Sequence, residues 1–450
     1  MSKTIASQAL RAATRGIHEH LEKSPFARAV LDGSLGEEAY VGYLRILAVL
    51  HATLERCLNR CDHPSVVRVW DAELQRLPDL LEDADHYRPR LVPDMPRAMA
   101  AAMEAASHVL LVSRDAPLGL LGCLYVLAGS SRGAVILEPR IGAALGVTPG
   151  RGLSYLSRHA TDGPAAWERA AARLDDLGAS SEEVGVMIGS ALAIFQHLKD
   201  AFTPLWPWDA SASRYTVAGL NPESGNHPVP QAREVLEAVL RASDRILADH
   251  PYFISRYGTR GRRFTDADGA WLATLPEQGR KFMGGQVAWL GTVLAARGMP
   301  RMLLGRHLMV LAGELPRSQP GLDEASGAQR IAMLYQAGSD LSQKMDRLFP
   351  PSMLRRHAAD MARRLGRLDD QACVEAVDLL AGAVTDELAG APEGVGPVLG
   401  WLTDTNRFSQ AWVDAVHHRL DLLRQAAQER PGPGDPNGGA LEAESKIALT

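Results

Sequence analysis

Apolar residues recur at steps of three or four along almost the whole chain, and no run of alternating β-branched residues is long enough to make a strand. After Ser34 the series Tyr40, Leu44, Leu47, Leu50 and Leu54 draws one continuous stripe, the mark of a long helix with one buried face. The pattern predicts an all-α fold. Helix starts are expected at Ser34 to Glu37, Ser180 to Glu183 and Thr265 to Asp268, where a hydroxyl is followed three residues later by a carboxylate able to reach back to it. Helices are predicted near 4–23, 36–61, 96–113, 117–146, 162–177 and 181–203, then near 229–249, 264–297, 300–315, 325–347, 351–365, 368–388 and 405–428.

Periodicity lapses in the stretch LWPWDASASRYTVAGLNPESGNHPVP, where Pro, Gly, Ser and Asn accumulate. The expected organisation is one domain over 1–205, a linker over 206–228, a second helical domain over 229–428 and a disordered Pro/Gly-rich tail over 429–450. With 48 basic and 53 acidic residues the net charge is −5. That balance argues against a polybasic nucleic-acid partner. The longest uncharged apolar stretches, 118–129 and 184–195, are too short to span a bilayer, so no membrane partner is expected. No signal-type apolar core precedes the first helical pattern, and four scattered cysteines make no disulfide framework; both point to a cytoplasmic, reducing location.

The first predicted helix carries Arg11, Thr14, Arg15, His18 and Glu22 on one face, beside the apolar stripe Leu10, Ala13, Ile17 and Leu21. An imidazole flanked by arginines suits an anionic ligand that also wants a nitrogen donor. Haem is one: its iron takes a neutral imidazole nitrogen and its two propionates want cations. The competing reading is a solvated helix whose arginines pair with Glu19 and Glu22. In the segment 117–146, Gly122, Gly129 and Gly133 fall at steps of seven and four along one face. Glycine costs a helix interior about 1 kcal/mol relative to alanine, so the cluster needs a reason. Close backbone approach to a flat ligand is one, and close helix packing is the other.

Four segments, LRAATRGIHEHLE, SPFARAVLDGSLGEEAYVGYLRIL, LGCLYVLAGSSRGAVILEPRIGAALG and SEEVGVMIGSALAIFQHL, occur in the order and spacing of haem oxygenases. Over roughly residues 4–205 the chain resembles that family, most closely its bacterial, bacteriophytochrome-associated branch. The resemblance implies haem b held between the first helix and a glycine-kinked distal helix, as both substrate and cofactor, and oxidised by O2 to biliverdin, CO and iron. It implies His18 as the iron ligand, Arg11, Thr14 and Arg15 at the haem edge, and Gly129, Ser130 and Gly133 at the catalytic distal side, with Arg132 beside the pocket. Electrons would come from an external reductant such as a ferredoxin or a reductase, and the bilin could pass to a phytochrome. Two departures stand out: Ser130 occupies a place where many members carry aspartate, and Arg132 one where the branch usually has an aliphatic residue. The stretch from Tyr155 to Gly163 also differs from the Gly-Tyr-Gly-containing stretch of relatives. A haem- or tetrapyrrole-binding sensor or carrier without turnover is the alternative these departures leave open.

Other signals are weaker. Gly129-Ser-Ser-Arg-Gly133 matches a nucleophile elbow centred on Ser131, but that motif needs a strand before it. His51, Cys57, Cys61 and His63 lie close in sequence without a second cluster to complete a metal site. In the second half, Arg256, Arg260, Arg262 and Arg263 are expected in a solvated loop before Thr265. Trp271 and Trp289 are expected in a core and His307 in a satisfied structural position. No family resemblance is apparent there, and its role stays unassigned.

Overall fold

The computed structural model describes residues 5–148, 150–316, 323–366 and 371–429. Among them every regular element is helical, and the only extended pairing is an isolated bridge between Asp94 and Arg214. The all-α expectation is met. The chain forms two compact units that meet at Gln231 and Ala232, and the expected tail lies, from residue 430 on, outside the described residues.

The first unit contains α1 (Ala6–Glu22), α2 (Pro25–Asp32), α3 (Glu37–Arg60), α4 (Pro64–Val69), α5 (Leu77–Tyr87), α6 (Pro96–Asp115), α7 (Leu120–Gly129), α8 (Ser131–Leu145), α9 (Ser154–Thr161), α10 (Gly163–Asp175), α11 (Ser181–Phe202) and the short α12 (Val217–Leu220). The stripe foreseen in α3 is buried: Tyr40, Leu44, Leu47, Leu50 and Leu54 are each at most 4% exposed, and α3 packs on α5 and α6. The α11 helix starts in a full capping box, Ser180 accepting from the Glu183 amide while Glu183 accepts from the Ser180 amide. It packs against α1, α6 and α7. A Cβ on Gly122 would stand 2.0 Å from the Met187 carbonyl oxygen, so this glycine permits α7 to lie directly on the α11 backbone. The predicted helix 117–146 is instead two helices, the axes of 117–129 and 133–145 meeting at 47°. Among the described residues no single helix is long and apolar enough to cross a membrane, though this bent pair would pass by length and composition.

The second unit contains α13 (Arg233–Asp249), α14 (Tyr252–Thr274), α15 (Arg280–Ala296), α16 (Arg301–Glu314), α17 (Glu324–Leu348), α18 (Pro351–Arg364), α19 (Gln371–Leu388), α20 (Val395–Leu402) and α21 (Gln410–Gln428). Its core gathers Phe349, Met361, Val377, Leu380, Val398 and Leu423. Two expected capping boxes are absent. The Ser34 hydroxyl donates to Asp32 and Glu37 pairs with Arg90, so α3 begins after Gly36. Thr265 lies inside α14, its hydroxyl donating to the Gly261 carbonyl at 2.9 Å. The expected arginine loop is therefore helix, interrupted only at Gly258, whose φ is +59°. Arg256 is held over the rings of Tyr252, Tyr257 and Trp401, contacts that local sequence cannot show. The predicted helix 264–297 is broken by the turn at Leu275–Gln278 and Gly279. Trp289 is 57% exposed rather than in a core, and the buried His307 leaves its Nε2 without a hydrogen-bond partner among the described residues.

The stretch 206–228 is not a free linker. Asp94, fully buried, accepts from Arg45 at 2.8 Å and from the Thr216 hydroxyl. Its backbone exchanges two hydrogen bonds with Arg214, at 2.6 and 2.7 Å. Val217, Ala218 and Asn221 are buried against the first unit, which is why the boundary falls at 231. Polar composition signals a loop, but a loop whose hydroxyl is met by the carboxylate, and whose backbone is met by the backbone, of one buried residue becomes part of the core. Asp94→Ala would leave Arg45 buried without its partner. It is expected to cost about 3–5 kcal/mol in urea unfolding and to open 206–228 to limited proteolysis.

Candidate functional site

The polar face of α1 forms because Ala6 and Leu10 insert into the core, which turns Arg11, Arg15 and His18 toward solvent. The His18 side chain is 52% exposed, with Nδ1 3.5 Å from Glu22 Oε1 and the ring edge-on to Phe195 of α11 at 5.8 Å. The carboxylate one turn on stands on the Nδ1 side of the imidazole, so Nε2 is the nitrogen left for a ligand. Arg11 and Arg15 are exposed and make no ion pair among the described residues, so the pairing with Glu19 and Glu22 of the competing reading does not occur there; Glu22 faces His18 instead. Thr14 lies elsewhere. It is 3% exposed, and its hydroxyl is spent on the Leu10 carbonyl at 2.8 Å, which places it in the core rather than at a ligand edge.

The three glycines of the second element have different surroundings. Gly122 touches backbone, a Cβ on Gly129 would meet the Trp167 ring at 3.7 Å, and a Cβ on Gly133 would meet nothing within 4 Å. Helix packing therefore explains the first and not the last. Gly129, Ser130 and Gly133 sit at the bend between α7 and α8. The Arg132 side chain lies outside the described residues. No direct contact joins His18 to these glycines among the described residues, but both elements rest on common supports. The α10 helix packs on α1, α7 and α8, and α11 packs on α1 and α7. Asp175 of α10 accepts from the Ser7 amide at 2.8 Å and its hydroxyl at 2.7 Å, fastening the start of α1.

Sequence reasoning missed the polar network behind the bend. Ser130 shares a hydrogen bond with His159 Nε2 at 2.9 Å, and Arg76 Nε donates to His159 Nδ1 at 3.3 Å. Both His159 and Arg76 are nearly inaccessible. Tyr155 stacks on His159 at 5.2 Å, one helical turn away. Glu55 accepts from the Arg76 and Leu77 amides at 2.8 and 3.0 Å and lies 2.9 Å from His51 Nδ1. Asp83 accepts from the Ser154 and Tyr155 amides, capping α9 from α5. Burial pushes its pKa up to about 6 despite those two donors. The sequence held one hint of this cluster, the departure around Tyr155 and His159, since residues four apart share a helix face.

The minor motifs dissolve. Ser131 is fully buried with helix on both sides, unlike an exposed elbow serine. His51 is engaged by Glu55, His63 accepts from the Ser65 amide, and no group of three potential ligands could hold a metal ion among the described residues.

No curated protein matches the chain. Among solved structures it is similar to heme oxygenase-2 of Synechocystis sp. PCC 6803 in complex with heme and NO, at 21% identity and a TM-score of 0.41, covering 45% of this chain and 85% of that one. It is similar also to heme oxygenase-1 of the same cyanobacterium in complex with heme, at 21% identity and a TM-score of 0.41, with coverage of 45% and 93%. The heme oxygenase of Leptospira interrogans gives 21% identity, a TM-score of 0.40 and coverage of 44% and 99%. Over residues 4–203 the sequence matches the model of the heme oxygenase family.

Proposed function

We propose that the first unit binds haem and converts it, with O2 and external electrons, to biliverdin, CO and iron. The observation that carries this reading is the presentation of His18: a half-exposed imidazole beside Glu22, on a face whose two arginines have no anionic partner among the described residues. The residues present fit the group. His18 Nε2 would ligate the iron, with the Glu22 carboxylate 3.5 Å from Nδ1 on the other side of the ring. Arg11 and Arg15 would meet the propionates. Gly133 leaves open space at the bend, where a side chain would otherwise stand between protein and macrocycle.

Bound haem supplies both the iron that activates O2 and the macrocycle that is opened. The chain need only bind, orient and exclude bulk water, so no side-chain nucleophile is required. Ser130 adds a hydroxyl at the bend to hold water. Electrons would enter from a separate donor such as a ferredoxin or reductase. The match to the haem oxygenase family over residues 4–203 supports the reading.

Hemin titration of the purified chain should give a stoichiometric Soret band that His18→Ala loses. With reductant, air and catalase the band should decay into bilin absorption. A stable band would leave a haem-binding protein without turnover, and the absence of any band would remove both readings. Arg11→Ala with Arg15→Ala should weaken hemin affinity by about 3- to 30-fold, measured by fluorescence quenching, the range of two exposed charge pairs. The glycines separate by function. Gly133→Leu should leave thermal stability within about 1 kcal/mol and lower hemin affinity. Gly122→Ala should lower stability by about 2–4 kcal/mol, because its Cβ meets backbone that cannot move aside.

A further inference from the structure

His108 of α6 and His197 of α11 stand side by side on two packed helices, their ring centroids 5.6 Å apart and their planes tilted by 47°. The pair lines a cleft of about 470 Å³ whose apolar wall includes Met103 and Leu111. His108 Nε2 is shut off from solvent and meets no hydrogen-bond partner among the described residues. The His197 ring has no hydrogen-bond or ion-pair partner among them either. A buried nitrogen left unpaired is costly, and a second unpaired imidazole beside it points to a shared partner.

An ion held at about 2 Å from one nitrogen of each ring would lie about 3 Å from each ring centre, so two rings sharing it stand at most about 6.5 Å apart. At 5.6 Å the pair is within that limit and fits a bent nitrogen–metal–nitrogen angle. No hydrogen bond pins either ring, so each can turn a nitrogen toward a shared ion. Two imidazoles suit copper(II), nickel(II) and zinc(II), and not magnesium or calcium, which want oxygen. No group of three His, Cys, Asp or Glu side chains could hold an ion among the described residues, so the remaining positions fall to water. Glu104, one turn before His108, lines the same cleft and adds negative charge beside the pair.

We propose that His108 and His197 form a two-histidine site for a transition-metal ion of the copper, nickel and zinc group, with water completing the coordination. The inference does not rest on the haem reading above. Phe195 of α11 meets the His18 ring, and His197, two residues on, points about 200° around the same helix. An ion at the pair therefore ties α6 to α11 on the side away from His18, and its water positions stay open to an exogenous ligand.

Calorimetric titration of the hemin-free full chain with zinc chloride should show one equivalent whose affinity falls about tenfold or more in His108→Ala and equally in His197→Ala. The double variant should lose no further equivalent, because both substitutions remove one site. His20→Ala, on the exposed face of α1, should bind zinc as the parent does. One equivalent of copper(II) should give an electron paramagnetic resonance signal split by two imidazole nitrogens in the parent and by one in either single variant. A parent chain that takes up no zinc, uptake unaltered by the substitutions or lowered by only one of them, or a copper signal without two imidazole nitrogens overturns the site. If circular dichroism shows that an alanine variant does not fold, His108→Asn or His197→Asn, which keeps a polar side chain, takes its place. Hemin is absent throughout, so failure of the haem reading leaves these outcomes untouched.

Discussion

The first unit depends on the contact between α7 and α11 at Gly122. There the backbone of one helix lies against the Met187 carbonyl of the other, closer than any side chain would allow. Because α11 also carries α1, that approach, together with α10 packed on α1, α7 and α8, ties the α7–α8 bend to the helix bearing His18. Close-packed interiors transmit such a constraint with little give. The other two glycines of the series carry no comparable load, which leaves the bend free to serve a ligand.

Behind the bend, the protein uses buried charge sparingly and satisfies it with backbone. Glu55 is consumed by two amides and His51, Asp83 by two amides at the start of α9, and one Arg76 nitrogen by two carbonyls. The amide links of Glu55 and Asp83 join helices that meet only in the folded chain. A network of this kind resists local rearrangement, since breaking one member leaves a buried group unpaired. The same stiffness that caps α9 holds His159 against Ser130. Structural support and site geometry are here one set of hydrogen bonds.

Much of the architecture was legible from periodicity. The helices α3, α6, α11, α16 and α17 lie within a residue or two of expectation, because each presents an apolar stripe long enough to outvote its local exceptions. Short helices such as α4, α5 and α9 escaped, since six to eleven residues carry too few turns to show a period. Gly258 and the arginines around it read as loop, yet Tyr252, Tyr257 and Trp401 receive Arg256 and stabilise helix on both sides. At the candidate site, the common face of Arg11, Arg15 and His18 and the spacing of Gly129 and Gly133 are visible on single helices, whereas Ser130 enters only through the family resemblance. Thr14 could not be placed correctly, because a hydroxyl on the boundary of two faces may turn either way until the neighbouring helices arrive.

By itself the sequence determined the fold class, the polar face of α1 and the glycine series of α7 and α8. These are properties of one helix at a time, set by a repeat of 3.6 residues. Only the tertiary structure decided which glycine packs and which stays open, that 206–228 belongs to the first unit, and that Ser130 is backed by Arg76 and His159. Those outcomes hang on partners separated by 29 to 122 residues, such as Ser130 with His159 and Asp94 with Thr216. A buried polar group must find its partner wherever the chain brings one, and sequence distance has no bearing on where that is.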